Sequence, residues 1–181
     1  QQRDTFLVAT SIKIALDAMG GDIGPEAVLP AAELVAKNTT DIHFLLYGDE
    51  AKILPILAKN RKLRAVSTVI HTEKFIGNDE KPSTALRNGK GSSMRLAIEA
   101  VRDGKADAVV SAGNTGALMA IAKIVLKTVP GIHRPAIASI FPGLKGQTIM
   151  LDLGANVLVD AENLAQFAVL GAAFAKAQKK I

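Results

Sequence analysis

The chain has no cysteine and no tryptophan, and one tyrosine stands beside six phenylalanines. The lack of cysteine excludes disulfides and thiolate metal sites, and agrees with a reducing compartment. Aromatics at 4% are too few to supply the stacking surface that single-stranded nucleic acid needs on a basic face. No apolar run is long enough for a bilayer: the longest, 117–129 and 164–175, fall short, and the first carries Lys123 and Lys127. Residues 1–11 lack the basic start and cleavage pattern of a signal peptide and read as a leader or remnant ahead of the fold.

What is present is aliphatic. Hydrophobic residues make up 49% of 181, enough to bury a sizeable core, while 22% charged residues keep the chain out of the disordered class. An Ala, Val, Ile and Leu-rich mix suits parallel strands covered on both faces. Net charge is +5, from 22 basic and 17 acidic residues that are scattered rather than blocked. That excess favours anionic partners without making a nucleic-acid surface.

Periodicity alternates strand and helix. It predicts strands over 12–16, 42–47, 65–71, 108–110, 136–141 and 148–151, with helices over 25–37, 51–59, 93–102, 115–128 and 161–179. Pro25 suits a first helical turn, Ser92 a helix cap, and Asp103-Gly104 a helix stop. Residues 72–91 read as irregular. The order argues for a three-layer α/β/α fold with a mostly parallel, doubly wound sheet.

Three small, polar loops follow predicted strands: Asp17–Asp22 with Gly20-Gly21, Ser111–Gly116, and Asp152–Asn156 with Gly154. In a parallel sheet all three would emerge on one edge, where ligands of open α/β sheets bind. Ser111–Gly116 is the clearest anion site. Gly113 and Gly116 bare the backbone, Asn114 or Thr115 can cap the helix, and first-turn N–H groups attract a phosphate. A capped helix start with no ligand explains the same residues, as a plain turn explains Gly20-Gly21. Ser111 stands where a dinucleotide fingerprint needs glycine, and His133-Arg134 where it needs an acid, so a nicotinamide site is not indicated.

Asp17 and Asp22 could serve as acid and base or as oxygen ligands to a divalent ion, but no further ligand cluster accompanies them. Asp152 either orients a ligand or holds a neighbouring loop through backbone N–H groups. His43, His71 and His133 have no metal spacing. Arg134, stiffened by Pro135, is a candidate anion ligand, with Arg87 and Arg95 comparable to it; a solvated surface charge is the alternative for each.

The motifs Asp17-Ala18-Met19-Gly20-Gly21-Asp22, Ser92-Ser93-Met94, Ser111-Ala112-Gly113-Asn114-Thr115-Gly116, Arg134-Pro135-Ala136 and Asp152-x-Gly154-Ala155-Asn156 occur in this order. From Ile12 onward the chain resembles the bacterial acyl-carrier-protein:phosphate acyltransferases of phospholipid synthesis, the PlsX family. The resemblance implies transfer of a long-chain acyl group from acyl carrier protein to inorganic phosphate, without a cofactor. It also implies an isocitrate/isopropylmalate dehydrogenase-like fold, a homodimer, and a cytoplasmic enzyme that visits the inner membrane face. Such enzymes are about twice this length, so residues 12–181 are expected to be the N-terminal portion of a single catalytic α/β domain.

On that resemblance Asn114, Thr115 and Asp22 are the expected catalytic residues. Asp17, Gly20, Gly21, Ser111, Gly113, Gly116, Arg134, Asp152, Gly154 and Asn156 are expected to bind substrate or phosphate. The family often carries an acid where His133 stands, and more basic residues than Arg87-Asn88-Gly89-Lys90-Gly91. The competing expectations are a same-fold phosphotransacetylase or dehydrogenase, and a non-catalytic scaffold that binds carrier protein or anionic lipid.

Overall fold

Strands β1 (Ile12–Asp17), β2 (Ile42–Gly48), β3 (Ser67–His71) and β4 (Ala108–Ser111) form one parallel sheet in the order β3-β2-β1-β4. The computed structural model describes residues 11–144 and 146–178, so nearly all of the expected leader lies outside the described residues. The chain divides into two compact units, with the break between Leu126 and Lys127.

In the first unit the strand period of two sorts side chains between two faces. Leu16, Phe44 and Leu46 point to one face, where Val28 and Leu29 of α1 (Pro25–Asn38), Ile53 and Leu57 of α2 (Glu50–Lys59) and Leu63 of α3 (Arg61–Ala65) bury against them. Ala15 and Tyr47 point to the other, against Ala97 and Ala100 of α5 (Ser93–Arg102). Helices thus cover both faces, giving the three layers expected of an aliphatic sequence. Each large aliphatic residue so buried stabilises the fold by about 1.5–3 kcal/mol. A further cluster joins Ala85 of α4 (Pro82–Asn88), Met94 and Ile98 of α5, and Ala117 and Ile121 of α6 (Thr115–Leu126).

The predicted starts are accurate where a capping residue marks them. Pro25 opens α1, Asp49 accepts from Ala51 N at the head of α2, and Ser92 Oγ accepts from Arg95 N at the head of α5. Two short helices escaped the periodicity: α3, which falls between the predicted helix 51–59 and strand 65–71 and shares only Ala65 with the latter, and α4, read as irregular. At 5 and 7 residues they are too brief to show a repeating apolar face.

The second unit departs from expectation. β5 (Ser139–Gly143) and β6 (Gly146–Met150) pair antiparallel as a separate two-stranded sheet, followed by α7 (Ala161–Gln178). A parallel pair needs a crossover of about a dozen residues or more, and the connection between these strands is far too short. The 152–156 loop therefore follows a strand of the antiparallel pair, and of the three polar loops those after β1 and β4 leave the C-terminal edge of the parallel sheet.

Candidate functional site

β1 and β4 are neighbours whose register pairs Asp17 with Ser111 at their C-terminal ends. Asp17 is buried, and its Oδ2 accepts a hydrogen bond from Ser111 Oγ at 2.7 Å. Ser111 Oγ in turn accepts from Gly113 N at 3.1 Å. This pulls the loop after β4 back over the strand end. Asp17 Oδ1 is buried with no hydrogen-bond partner among the described residues.

The two loops meet through their glycines. A Cβ at Gly20 would lie 2.8 Å from Gly113 N and 2.8 Å from Asp17 Oδ2, and one at Gly113 would lie 3.4 Å from Gly20 Cα. Only bare backbone fits between them. Gly21, at φ 86°, takes a conformation that L side chains rarely adopt and carries the chain on towards Asp22.

Asn114 caps α6 by accepting from Ala117 N at 2.9 Å. Its amide also donates to Asn78 O at 2.7 Å and Glu80 O at 2.8 Å. Asn78 then donates its own amide to Asp22 Oδ1. One chain of contacts thus runs Asp22, Asn78, Asn114, and ties both glycine loops to the 78–80 segment. Both amide hydrogens of Asn114 are committed inside the fold. Gly113 likewise turns its N–H inward to Ser111, contrary to the expectation that it faces an anion.

The exposed groups at the head of α6 are Thr115 and Gly116. Their N–H groups have no intrahelical acceptor, because the first turn of a helix never does, and the helix dipole adds partial positive charge there. Gly116 is close-packed on its other side: a Cβ there would lie 2.7 Å from Pro82 Cγ, at the start of α4.

In the second unit Asp152 is the organiser of its loop. Its Oδ1 accepts from Ile137 N at 2.8 Å, and its Oδ2 accepts from Asn156 N at 2.7 Å and Asn156 Nδ2 at 3.0 Å. Burial works against its charge, but the N–H groups of Ile137 and Asn156, the Asn156 amide and the Ala155 N–H outweigh it and hold the carboxyl below its usual range. Asn156 also donates to Pro135 O at 2.9 Å, so the Arg134-Pro135 segment and the 152–156 loop are stitched together. Of the two roles the sequence left open for Asp152, loop-holding is the one its contacts perform. Gly154 serves by its φ of 78°, and Arg134 is exposed.

The remaining candidates are engaged elsewhere or exposed. Arg95 Nε pairs with Glu99 at 3.0 Å, Arg87 is exposed, and His43 shares a hydrogen bond with Thr68 Oγ1 at 2.9 Å. His133 Nδ1 lies 3.6 Å from Glu162. Among the described residues no group of three or more acids and histidines could hold a metal ion. Asn78 is the residue that motif reading passed over. It sits in the segment without periodicity, and its partners are 36 and 56 positions away.

Comparison with known proteins identifies the family. The profile of the fatty acid synthesis protein family matches residues 12–181. The phosphate acyltransferase of Rhodospirillum centenum is 58% identical over 163 residues, covering 90% of this chain and 46% of that protein. The phosphate acyltransferase of Azorhizobium caulinodans is 53% identical over 169 residues, covering 93% of this chain and 48% of that protein. The EutD phosphotransacetylase from Staphylococcus aureus matches in structure with a TM-score of 0.62 at 24% identity, over 89% of this chain and 52% of that one, which bears on the fold alone. The chain spans about half the length of the curated relatives it matches. It belongs to the fatty acid synthesis protein family, among relatives named phosphate acyltransferases.

Proposed function

We propose that this chain carries the anion-binding part of an enzyme that moves a long-chain acyl group from acyl carrier protein to inorganic phosphate. The observation that carries the reading is the meeting of two bare glycine loops, at Gly20 and Gly113, beside the open head of α6. Phosphate is already a nucleophile, so no covalent enzyme intermediate is needed. One phosphate oxygen attacks the thioester carbonyl carbon, the C–O bond forms, the C–S bond breaks, and the carrier's thiolate leaves to take a proton from water.

The protein's task in this reading is to hold two groups in line and meet the charge that develops. Such positioning lowers a barrier by up to about 7–11 kcal/mol. The N–H groups of Thr115 and Gly116, with the Thr115 hydroxyl, are the donors to phosphate or to the oxyanion. Asn114, Asp22, Asp17 and Ser111 act as positioning residues that set the loops. In the second unit Asp152, Gly154 and Asn156 shape a loop, and Arg134 offers an exposed cation to a second anionic group.

The whole protein on this reading is a cytoplasmic homodimer that visits the membrane surface. The net charge of +5 attracts both an acidic carrier protein and an anionic bilayer, and the attraction fades with salt. Among the described residues no helix is long and apolar enough to cross a membrane.

The test is acyl-phosphate production from palmitoyl carrier protein and inorganic phosphate, by this chain and by one extended to the length of its relatives. The extended protein is expected to release acyl phosphate, with Thr115→Ala raising the phosphate KM. An extended protein that binds carrier protein without releasing acyl phosphate would leave the scaffold reading in its place.

A further inference from the structure

Residues 72–81 join β3 to α4 without helix or strand, and their contacts reach both glycine loops. The upstream half is pinned to the head of α5. Thr72 Oγ1 donates to Gly91 O at 2.7 Å, Lys74 O accepts from Ser93 N at 2.9 Å, and Ile76 is buried in one cluster with Met94 and Ile98. Met94 in turn supports the second glycine loop, because a Cβ at Gly113 would stand 3.0 Å from its methyl carbon.

The downstream half crosses the site. Glu80 N donates to Gly77 O at 3.2 Å and closes a turn. That turn presents two carbonyls, Asn78 O and Glu80 O, to the Asn114 amide at 2.7 and 2.8 Å. The Asn78 side chain donates to Asp22 Oδ1 in the other loop. Asn78 therefore bonds to both loops at once, to one through its main chain and to the other through its side chain.

Asn78 and Asp22 are both exposed, so water competes for their hydrogen bond and its contribution to stability is small. Its consequence is geometric. Asp22 ends a loop with two glycines, a backbone with little stiffness of its own. Asn114 directly precedes Thr115 and Gly116, whose N–H groups are the open donors at the head of α6. A tie from Asp22 to the turn that holds Asn114 sets the first loop relative to those donors.

We infer that Asn78 is a positioning residue of the anion site, its amide holding the Asp22 loop in place against the head of α6 so that the two loops bind one oxyanion together. The inference rests on the acyl-transfer reading for the identity of that anion as inorganic phosphate.

The test titrates inorganic phosphate into the isotope-labelled chain and follows the amide resonances of Gly20, Gly21, Thr115 and Gly116 by NMR. Phosphate should shift both loops with one dissociation constant. Asn78→Ala keeps the main-chain carbonyl; it should weaken phosphate binding about three- to tenfold while the melting temperature stays within about 2 °C. Asn78→Asp sets two carboxylates together and should weaken binding further. Exchanging the pair, Asp22→Asn with Asn78→Asp, reverses donor and acceptor at unchanged net charge and should recover most of the loss. Unchanged affinity in Asn78→Ala, or an exchanged pair no better than Asn78→Asp, would overturn the inference. So would affinity that falls only in step with melting temperature, which would leave Asn78 a structural tie, or phosphate that shifts neither loop. Asn78-dependent phosphate binding without acyl phosphate from the extended protein would sink the transfer reading alone. Acyl-phosphate release with an unchanged phosphate KM in Asn78→Ala would sink the role of Asn78 alone.

Discussion

Ser111 Oγ and Asp17 Oδ2 are joined at 2.7 Å across neighbouring strands, 94 positions apart in the chain. This contact is the only hydrogen bond that the buried Asp17 carboxylate receives among the described side chains, because its Oδ1 has no partner. It couples the end of β1 to the loop that opens α6.

Ser111→Ala should therefore destabilise the protein by about 2–3 kcal/mol, because it leaves a buried carboxylate without its donor. Removing both groups, as Asp17→Ala with Ser111→Ala, should cost less than the sum of the single changes. Urea unfolding of the four proteins measures this, and additive losses would contradict the coupling.

Gly20→Ala places a methyl 2.8 Å from both Gly113 N and Asp17 Oδ2, and neither can swing aside. The loops must separate. The expected loss is about 1–3 kcal/mol from overpacking, with a matching fall in acyl-phosphate release by the extended protein. A Gly20→Ala protein of unchanged melting temperature and turnover would count against the close approach.

Asn114 and Thr115 are adjacent but should behave differently. Asn114→Ala removes a helix cap and two loop ties, so a loss of about 1–3 kcal/mol is expected. Thr115→Ala removes an exposed side chain and should leave stability within about 0.5 kcal/mol while raising the phosphate KM. Thermal melts set beside phosphate titrations separate positioning from contact. Equal stability losses in the two variants would refute the division of roles.

Asp152 gives a pH signature. Its carboxyl titrates below the ordinary value of 3.8 in the folded chain. Stability from this group is fully present above that unfolded value and drains away as pH falls through the lower folded one. Asp152→Asn should flatten the acid limb of a stability curve below about pH 4 and lower stability at neutral pH by about 1–3 kcal/mol, since Asn keeps only one acceptor oxygen. Hydrogen exchange at the Ile137 and Asn156 amides would localise the change.

Lys127 sits at φ 65° just after α6, a left-handed position that glycine takes without strain. Lys127→Gly is expected to raise stability by about 0.5–1 kcal/mol, the left-handed strain outweighing the extra chain entropy of glycine. A lower melting temperature would show that the lysine side chain contributes more than the backbone strain removes.

Aliphatic runs and local punctuation were enough to read the layered α/β plan and most helix starts, because Pro25, Asp49 and Ser92 act on the backbone within a few residues of themselves. The glycine pairs were equally legible, since a backbone that must go bare shows it in composition. What the sequence alone determined was therefore which segments form strand or helix and which loops are exposed backbone. Only the tertiary structure decided that β5 and β6 pair antiparallel outside the main sheet, and that Asn114 is a tie rather than an open donor. It also decided that Asn78 links Asp22 to Asn114. The physical reason is range: capping and turn chemistry are settled over a few bonds, whereas strand register and side-chain partnership depend on which distant segments the core brings into contact.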